Sequence, residues 1–187
     1  MINVLAKRTG TKVTTGKVRL SYVHAFVPHA IEGNEPKYGV SVLIRKTDIP
    51  TLTEIKGAVG EVKENGKAKW GGKVPSNLKT PLRDGDVEKP DDPAYAGCYF
   101  LNASSKTKPG VVDASAHPIM DAAELYSGCY GRLTLNFYAY NAAGNKGIAC
   151  GLGNIQKLEE GESLSGSTRA EDDFDAVESD VDDSFLG

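Results

Sequence analysis

A pair of long predicted strands near the end of the chain constrains the fold most strongly. Residues 129–141 and 146–157 are rich in β-forming side chains, and the turn sequence Ala142-Ala143-Gly144-Asn145 separates them. Turn-forming residues between two β-forming runs indicate a β-hairpin. Three earlier segments have similar strand patterns and end in turn-forming or charged residues: 16–27, 38–45 and 95–104. The chain is therefore predicted to be mainly β.

One helix is predicted between the early and the late strands. Asp48 is a suitable N-cap, Pro50 falls in the first turn, and apolar residues then recur at steps of three and four at Leu52, Ile55, Val59 and Val62. About five strands, a helix between them and a closing hairpin favour an OB-type five-stranded antiparallel Greek-key barrel with one or two short helices. An antiparallel sandwich would produce a similar succession of strands.

The net charge of −3 conceals two segments of opposite charge. Residues 159–187 contain eleven acidic residues and one basic residue, so their net charge is −10, whereas residues 1–158 have a net charge of +7. A segment so acidic and so poor in large apolar groups cannot bury enough surface to fold alone. We therefore predict an OB-fold domain at 1–158 and a flexible acidic tail at 159–187. A basic body with an acidic tail points to nucleic acid.

The strand at 130–141 has one face suited to single-stranded nucleic acid. Alternation places Leu133, Leu135 and Phe137 on the core side. The opposite side carries aromatic, cationic and hydrogen-bonding groups, namely Tyr130, Arg132, Thr134, Asn136, Tyr138 and Tyr140. Bases stack on aromatic rings with roughly 1–3 kcal/mol each, and cations neutralise phosphates. The same tyrosines would also suit a second core or a dimer contact.

Similar clusters occur elsewhere in the chain. Phe100 shares a predicted strand face with Lys106, and Trp70 lies in a loop between lysines. Trp70 is either a stacking finger or a plug that anchors this loop to the barrel. The predicted nucleic-acid-binding residues are Arg19, Lys69, Trp70, Lys73, Phe100, Lys106, Lys108, Tyr130, Arg132, Tyr138 and Tyr140.

Catalysis, metals and cofactors are not indicated. The glycines between Gly147 and Gly153 match neither a P-loop nor a dinucleotide fingerprint, and they are better explained as sites where a barrel strand bends. The histidines and cysteines lack metal-ligand spacing. The acids Asp84, Asp86, Asp91 and Asp92 could suggest a nuclease metal site, but their setting is typical of a solvated loop. No membrane span and no secretory signal are recognisable, so we expect a cytoplasmic protein.

Several stretches resemble phage and bacterial single-stranded DNA-binding proteins, in particular a phage family long catalogued as a domain of unknown function. They are Tyr99-Phe-Leu-Asn-Ala-Ser-Ser-Lys106, Pro109-Gly-Val-Val-Asp113, Gly128-Cys-Tyr-Gly-Arg-Leu-Thr-Leu-Asn-Phe-Tyr-Ala-Tyr-Asn141 and Asn145-Lys-Gly-Ile-Ala-Cys-Gly-Leu-Gly-Asn-Ile-Gln-Lys157. The resemblance implies an OB fold, sequence-tolerant binding of single-stranded DNA, and service in phage replication, recombination or repair.

The acidic tail is part of this resemblance. It implies a partner-binding segment for replication or recombination proteins at Asp180, Asp182, Asp183 and Phe185. Better-known tails end on the aromatic residue, whereas Leu186 and Gly187 follow Phe185 here. We expect the tail to compete with DNA for the basic surface. Duplex DNA as a further ligand, a protein-interaction or virion assembly role, and a metal-dependent nuclease remain alternatives.

Overall fold

A computed structural model describes residues 4–30, 33–164 and 174–177. The strands in these residues are β1 (Lys7–Thr9), β2 (Lys12–Thr14), β3 (Val18–His29), β4 (Lys37–Arg45), β5 (Arg83–Asp84), β6 (Cys98–Ser105), β7 (Val111–Val112), β8 (Tyr130–Ala142) and β9 (Asn145–Glu159). The α-helices are α1 (Ile49–Asn65) and α2 (Gly85–Glu88), and three short 3-10 helices lie at Lys67–Trp70, Pro93–Tyr95 and Ala122–Glu124.

Five of the strands close into a barrel. β3 pairs with β4, β4 with β6, β9 with β8, and β8 with β3, all antiparallel. A parallel pairing of Ser104 in β6 with Gly151 in β9 completes the ring. This is the predicted OB-type barrel, and the closed ring distinguishes it from an open sandwich. The remaining short strands extend the sheet, with the β1–β2 hairpin along β8, β5 on β6 and β7 on β9.

The barrel core is formed by the alternating inward side chains of these strands. Leu20, Val42, Leu101, Leu133 and Phe137 are all almost completely shielded from solvent. α1 packs against β8 and the β1–β2 hairpin.

α1 starts where the sequence predicts it. The carboxylate of Asp48 accepts a hydrogen bond from the Thr51 backbone N–H at 3.2 Å, which satisfies a donor in the first helical turn. Leu52, Ile55 and Val62 are buried, and Val59 is partly buried against the same core. The three-and-four spacing of the sequence therefore corresponds to the packed face of the helix.

Trp70 anchors the loop after α1 to the barrel. Its side chain is 3 % exposed, and its indole Nε1 donates to the carbonyl of Tyr140 at 3.0 Å. The Asn141 side chain donates to the carbonyl of Lys69 at 3.1 Å, which ties the same loop to β8 a second time. The prediction of an exposed stacking finger at Trp70 is wrong, because the ring is enclosed in the core. The alternative of a plug agrees with the structure.

The chain remains in contact with the barrel beyond β9. β9 includes Glu159, and the Tyr126 hydroxyl donates to the carboxylate of Glu160 at 2.5 Å. The Leu164 backbone N–H donates to the carbonyl of Ser127 at 2.9 Å. The first six residues of the predicted tail thus lie along the folded body. Asp180, Asp182, Asp183 and Phe185 lie outside the described residues.

Membrane-spanning helices are not found in the described part of the chain, where no helix is both long and apolar enough.

Replacing Trp70 by Ala should lower the free energy of unfolding by roughly 3–5 kcal/mol, since it removes a buried aromatic ring and its hydrogen bond. Urea denaturation followed by circular dichroism measures this. The Lys73→Ala variant is the control in the same loop, because Lys73 is exposed. A Trp70→Ala protein as stable as the wild type would mean that the ring does not anchor the loop.

Candidate nucleic-acid interface

A row of mostly small residues crosses the outside of the barrel. The strand registers place His24 opposite Gly39, Gly39 opposite Ser104, Ser104 opposite Gly151, and Gly151 opposite Asn136. We call these five residues the crossing row. Neighbouring strands lie about 4.8 Å apart, so the row extends over about 19 Å. The bare backbone at its two glycines allows a ligand to approach the sheet closely.

An open groove lies at the β3, β4 and β6 end of the crossing row. We call it the outer groove. Aromatic rings and histidines contribute much of its lining, with Tyr22, His24, His29 and Tyr38 among them. Among the described residues, its charged lining consists of the basic Lys37, Arg83, Lys89 and Lys106 and the acidic Glu35. Cations therefore outnumber acids in this described lining, as a site for a polyanion requires.

Tyr22 is presented to the groove by a bulge in β3. Its φ of +46° lies in the left-handed region that a residue of this size rarely adopts. The register of β3 with β4 shifts between Ser21 and His24, so the side-chain alternation changes phase at this point. Regular alternation would place Tyr22 in the core with Val18 and Leu20, but it is 58 % exposed. The bulge therefore turns Tyr22 away from the face of Val18 and Leu20.

Tyr138 and Tyr140 follow each other on the outer face of β8, but their surroundings differ. Tyr138 is 45 % exposed, and a ring carbon lies 3.7 Å from the position a Cβ at Gly151 would occupy. It therefore stands directly beside the crossing row. The Tyr140 ring lies over Gly147, where a Cβ would be 2.5 Å from the phenolic oxygen. Of these two predicted stacking residues, Tyr138 is the more accessible, while Tyr140 is partly buried against β9.

Phe100 is on the outer face of β6, as its position in the strand predicts, but it is covered. The ring is 1 % exposed. Tyr95 packs edge-on against it at 5.1 Å between ring centroids, and the Arg83 guanidinium lies 5.1 Å from the Phe100 centroid. The prediction that Phe100 stacks on bases is wrong, because the segment containing β5, α2 and Pro93–Tyr95 buries the ring.

Arg83 itself is held in place by a two-pronged ion pair. Its Nε and one terminal nitrogen both donate to Glu88, at distances down to 2.7 Å, and this pairing raises the pKa of Arg83. The guanidinium thus forms a fixed wall of the outer groove.

Three predicted residues lie away from the outer groove. Tyr130 begins β8, eight positions before Tyr138, which corresponds to about 26 Å along an extended strand. Arg19 donates to the carbonyls of Gly128 and Glu162, at 3.0 and 2.8 Å. Arg132 likewise donates to the carbonyls of Thr15 and Leu5. Partial burial lowers the pKa of Arg132. These arginines connect chain segments, so the structure does not bring them together with Tyr138.

The predicted lysines are exposed at two places. Lys106 and Lys108 follow β6, and Lys106 forms a 3.4 Å ion pair with Glu35 at the outer groove. Lys69 and Lys73 belong to the loop after α1. Lys79 and Lys146, which were not predicted from the sequence, join this loop to the start of β9 through a 3.2 Å backbone hydrogen bond. Only the pairing of distant segments reveals that Lys79 and Lys146 are neighbours.

Three of the four acids considered for a nuclease site, Asp84, Asp86 and Asp92, have structural partners. Lys46 lies 2.8 Å from Asp84 and 2.7 Å from Asp86, and its hydrogen bond lowers the pKa of Asp86. The Asp92 carboxylate accepts from the Ala94 backbone N–H at the start of a 3-10 helix. The residues described by the structure contain no group of three or more side chains that could hold a metal ion.

The chain matches proteins of phages in both sequence and structure. Residues 11–186 match the family described as the ssDNA-binding protein of Enterobacter phage Enc34. "Putative protein p50" of Acyrthosiphon pisum secondary endosymbiont phage 1 is 33 % identical over 166 residues, which are 83 % of this chain and 87 % of that protein.

Solved structures show the same relationship. The single-stranded DNA-binding protein of bacteriophage Enc34 in complex with ssDNA superposes with a TM-score of 0.75 at 25 % identity, over 87 % of this chain and 98 % of that one. The single-stranded DNA-binding protein gp2.5 of bacteriophage T7 shares the fold, with a TM-score of 0.61 at 15 % identity over 90 % of this chain and 92 % of that one.

The matched family and both solved structures are described as ssDNA-binding proteins, which are not enzymes, in agreement with the expectation that the chain is not catalytic. Since the family match extends over residues 11–186 of a 187-residue chain, the protein belongs to the phage ssDNA-binding protein family represented by that of Enterobacter phage Enc34.

Proposed function

We propose that this protein binds single-stranded DNA, largely independently of sequence, through the outer groove and the crossing row. The observation that carries the proposal is the position of two exposed rings towards opposite ends of the crossing row. Tyr22 lies at the groove, and Tyr138 lies beside Gly151. The solved Enc34 protein that superposes with a TM-score of 0.75 is a complex with ssDNA, which supports the same ligand here.

The chemistry of the surface suits a single strand. Exposed rings accept unpaired bases of any identity by stacking, and Lys37, Lys89 and Lys106 supply positive charge for the phosphates. A duplex keeps its bases stacked inside, so it would use only the charges and bind less tightly. Protection of single-stranded DNA in phage replication, recombination or repair, in the cytoplasm of the host, follows from such binding.

The acidic tail is proposed to regulate access to this surface. Leu164, the last described residue before the acids, packs against the cluster of Leu43, Tyr95 and Phe100. Tyr95 and Phe100 also line the outer groove. The residues after Leu164 carry eight acids and one arginine. A polyanion tethered this close has a high effective concentration at the basic groove and competes with DNA there.

The same tail is proposed to bind replication or recombination proteins once DNA displaces it. Phe174, within its acidic surroundings, is 75 % exposed and offers an aromatic contact. The end of the tail adds Asp180, Asp182, Asp183 and Phe185. An aromatic ring among carboxylates is suited to a partner pocket with basic walls.

Replacing Tyr22 or Tyr138 by Ala should each weaken binding to an oligo-dT by about 5- to 150-fold, because one base loses its stacking partner, worth roughly 1–3 kcal/mol. The dependence of affinity on salt should change little, since no cation is removed. Fluorescence anisotropy titrations over a range of salt concentrations measure both quantities.

Met120→Ala is the matched control for these titrations, since Met120 is 87 % exposed and does not line the outer groove. It should bind like the wild type. Unchanged affinity in both tyrosine variants would contradict the proposed surface. A wild-type protein without salt-sensitive binding to oligo-dT would instead favour the protein-interaction or assembly alternative.

Ending the chain at Leu164 should tighten binding to ssDNA at low salt and also raise binding to duplex DNA, because a competing polyanion is removed. The gain should shrink as salt screens the tail from the groove. Competition assays with labelled ssDNA and duplex DNA measure the two effects.

A chain of full length with Glu171, Asp172, Asp173 and Asp175 replaced by their amides separates charge from length. It should reproduce part of the gain if charge causes the competition. Weaker DNA binding by the shortened chain would exclude an inhibitory tail.

A further inference from the structure

Two histidines are stacked on each other in the outer groove. The rings of His24 and His29 are nearly parallel, with 4.4 Å between centroids and 12° between planes. The β3 bulge and the register with β4 bring them together, since His24 lies opposite Gly39 and His29 opposite Lys37. Neither ring makes a hydrogen bond or ion pair within the described residues, and both line the groove. Their ring nitrogens are therefore available to a ligand.

We propose that His24 and His29 form a proton-dependent phosphate site: DNA enters the groove together with a proton on this pair. The inference rests on the proposed binding of single-stranded DNA. It adds a specific ligand group, the phosphate diester, and a linkage between binding and pH.

The charges around the histidine pair do not stabilise an imidazolium, so protonation of the pair requires a bound anion. Tyr22 from β3, Lys37 and Tyr38 from β4, and Lys106 after β6 line the same groove, with Arg83 and Lys89 along its wall. The acidic lining residue is Glu35, and it is paired with Lys106 at 3.4 Å. No carboxylate among the described lining residues is therefore left over to stabilise an imidazolium. Compared with the described lining residues, a bound phosphate would be the first unpaired anion at the site.

In the free protein, His24 favours the neutral form. Burial lowers the pKa of His24, and the neighbouring His29 lowers it further. Two imidazoliums stacked at this distance would repel each other, so the stacked arrangement itself suits at least one neutral ring. A phosphate between or beside the rings reverses this preference, because an opposite charge stabilises the protonated form.

The direction of the pH effect follows from this difference. DNA-bound protein has a higher histidine pKa than free protein, so the bound state holds more protons between the two pKa values. Affinity must then fall as the pH rises through that window and become constant above it. One proton per binding event limits the change to about tenfold per pH unit.

The test is the pH dependence of oligo-dT affinity at constant ionic strength, from about pH 6 to about pH 8, where histidine is the side chain that titrates. Wild-type affinity should rise as the pH falls, and the salt dependence should steepen by up to about 0.7 in log–log slope, the value for one additional phosphate contact on a single strand. The His24→Gln, His29→Gln double variant should lose both effects.

His117→Gln is the matched control, because His117 is exposed and does not line the groove. It should keep the wild-type pH dependence. Calorimetry in two buffers of different ionisation enthalpy counts the protons directly, and uptake should be seen with the wild type and His117→Gln but not with the double variant. Thermal unfolding confirms that each variant is folded.

Two results would overturn the inference: wild-type binding that does not depend on pH, or a double variant that keeps the full dependence. Both leave the proposed function intact, since the protein still binds DNA. A wild type that fails to bind oligo-dT at any pH would instead refute the proposed function itself.

Discussion

Closure of the barrel by the β8–β9 hairpin is the constraint on which the rest of the structure depends. β8 pairs with β2, β3 and β9, so β9 must bend around the barrel to reach β6. At Gly147 a Cβ would collide with Tyr140, and at Gly153 with Thr134. The glycines are required for side chains of β8 to lie across β9. At Gly151, which belongs to the crossing row, no side chain projects from the outer surface of the barrel. Closure of the barrel and the candidate interface thus depend on the same glycine-containing strand.

The long irregular stretch between α1 and β6 determines which aromatic rings remain available. Its first part ends in Trp70, which is inserted beneath the carbonyl of Tyr140, and its later part brings Tyr95 and Arg83 over Phe100. As a result, Trp70 and Phe100, whose rings would otherwise suit base stacking, are buried in the packed interior. The same stretch forms part of the boundary of the outer groove, to which Arg83 contributes a fixed positive charge. A segment with only short elements of regular structure therefore shapes the candidate site mainly by covering the barrel.

The strands, the helix and the hairpin could be predicted from the sequence because turn chemistry and side-chain alternation are local properties. The site could be predicted only in part, as Tyr138 shows, whose exposure follows from simple alternation. The exposure of Tyr22 was not predicted because its orientation depends on a bulge, which arises from pairing with β4. The bonding of Arg132 to other chain segments could not be predicted because its partners, Leu5 and Thr15, are more than a hundred residues away in the sequence. Composition indicates the right ligand chemistry, whereas the long-range partners decide which rings and cations remain free to use it.

The position of the tail's first residues bears on how a charged tail can select among DNA molecules. Leu164 packs against the cluster of Leu43, Tyr95 and Phe100, of which Tyr95 and Phe100 also line the outer groove. In the proposed competition, the acids after Leu164 would therefore be tethered one side-chain cluster away from the ligand, and a short tether would give them a high local concentration. A short oligonucleotide that contacts only the groove must displace them with few phosphates. A strand long enough to continue along the crossing row to Tyr138 gains stacking that the tail cannot provide. Fixing the tail here would make the competition depend on the length of the bound strand as well as on its charge.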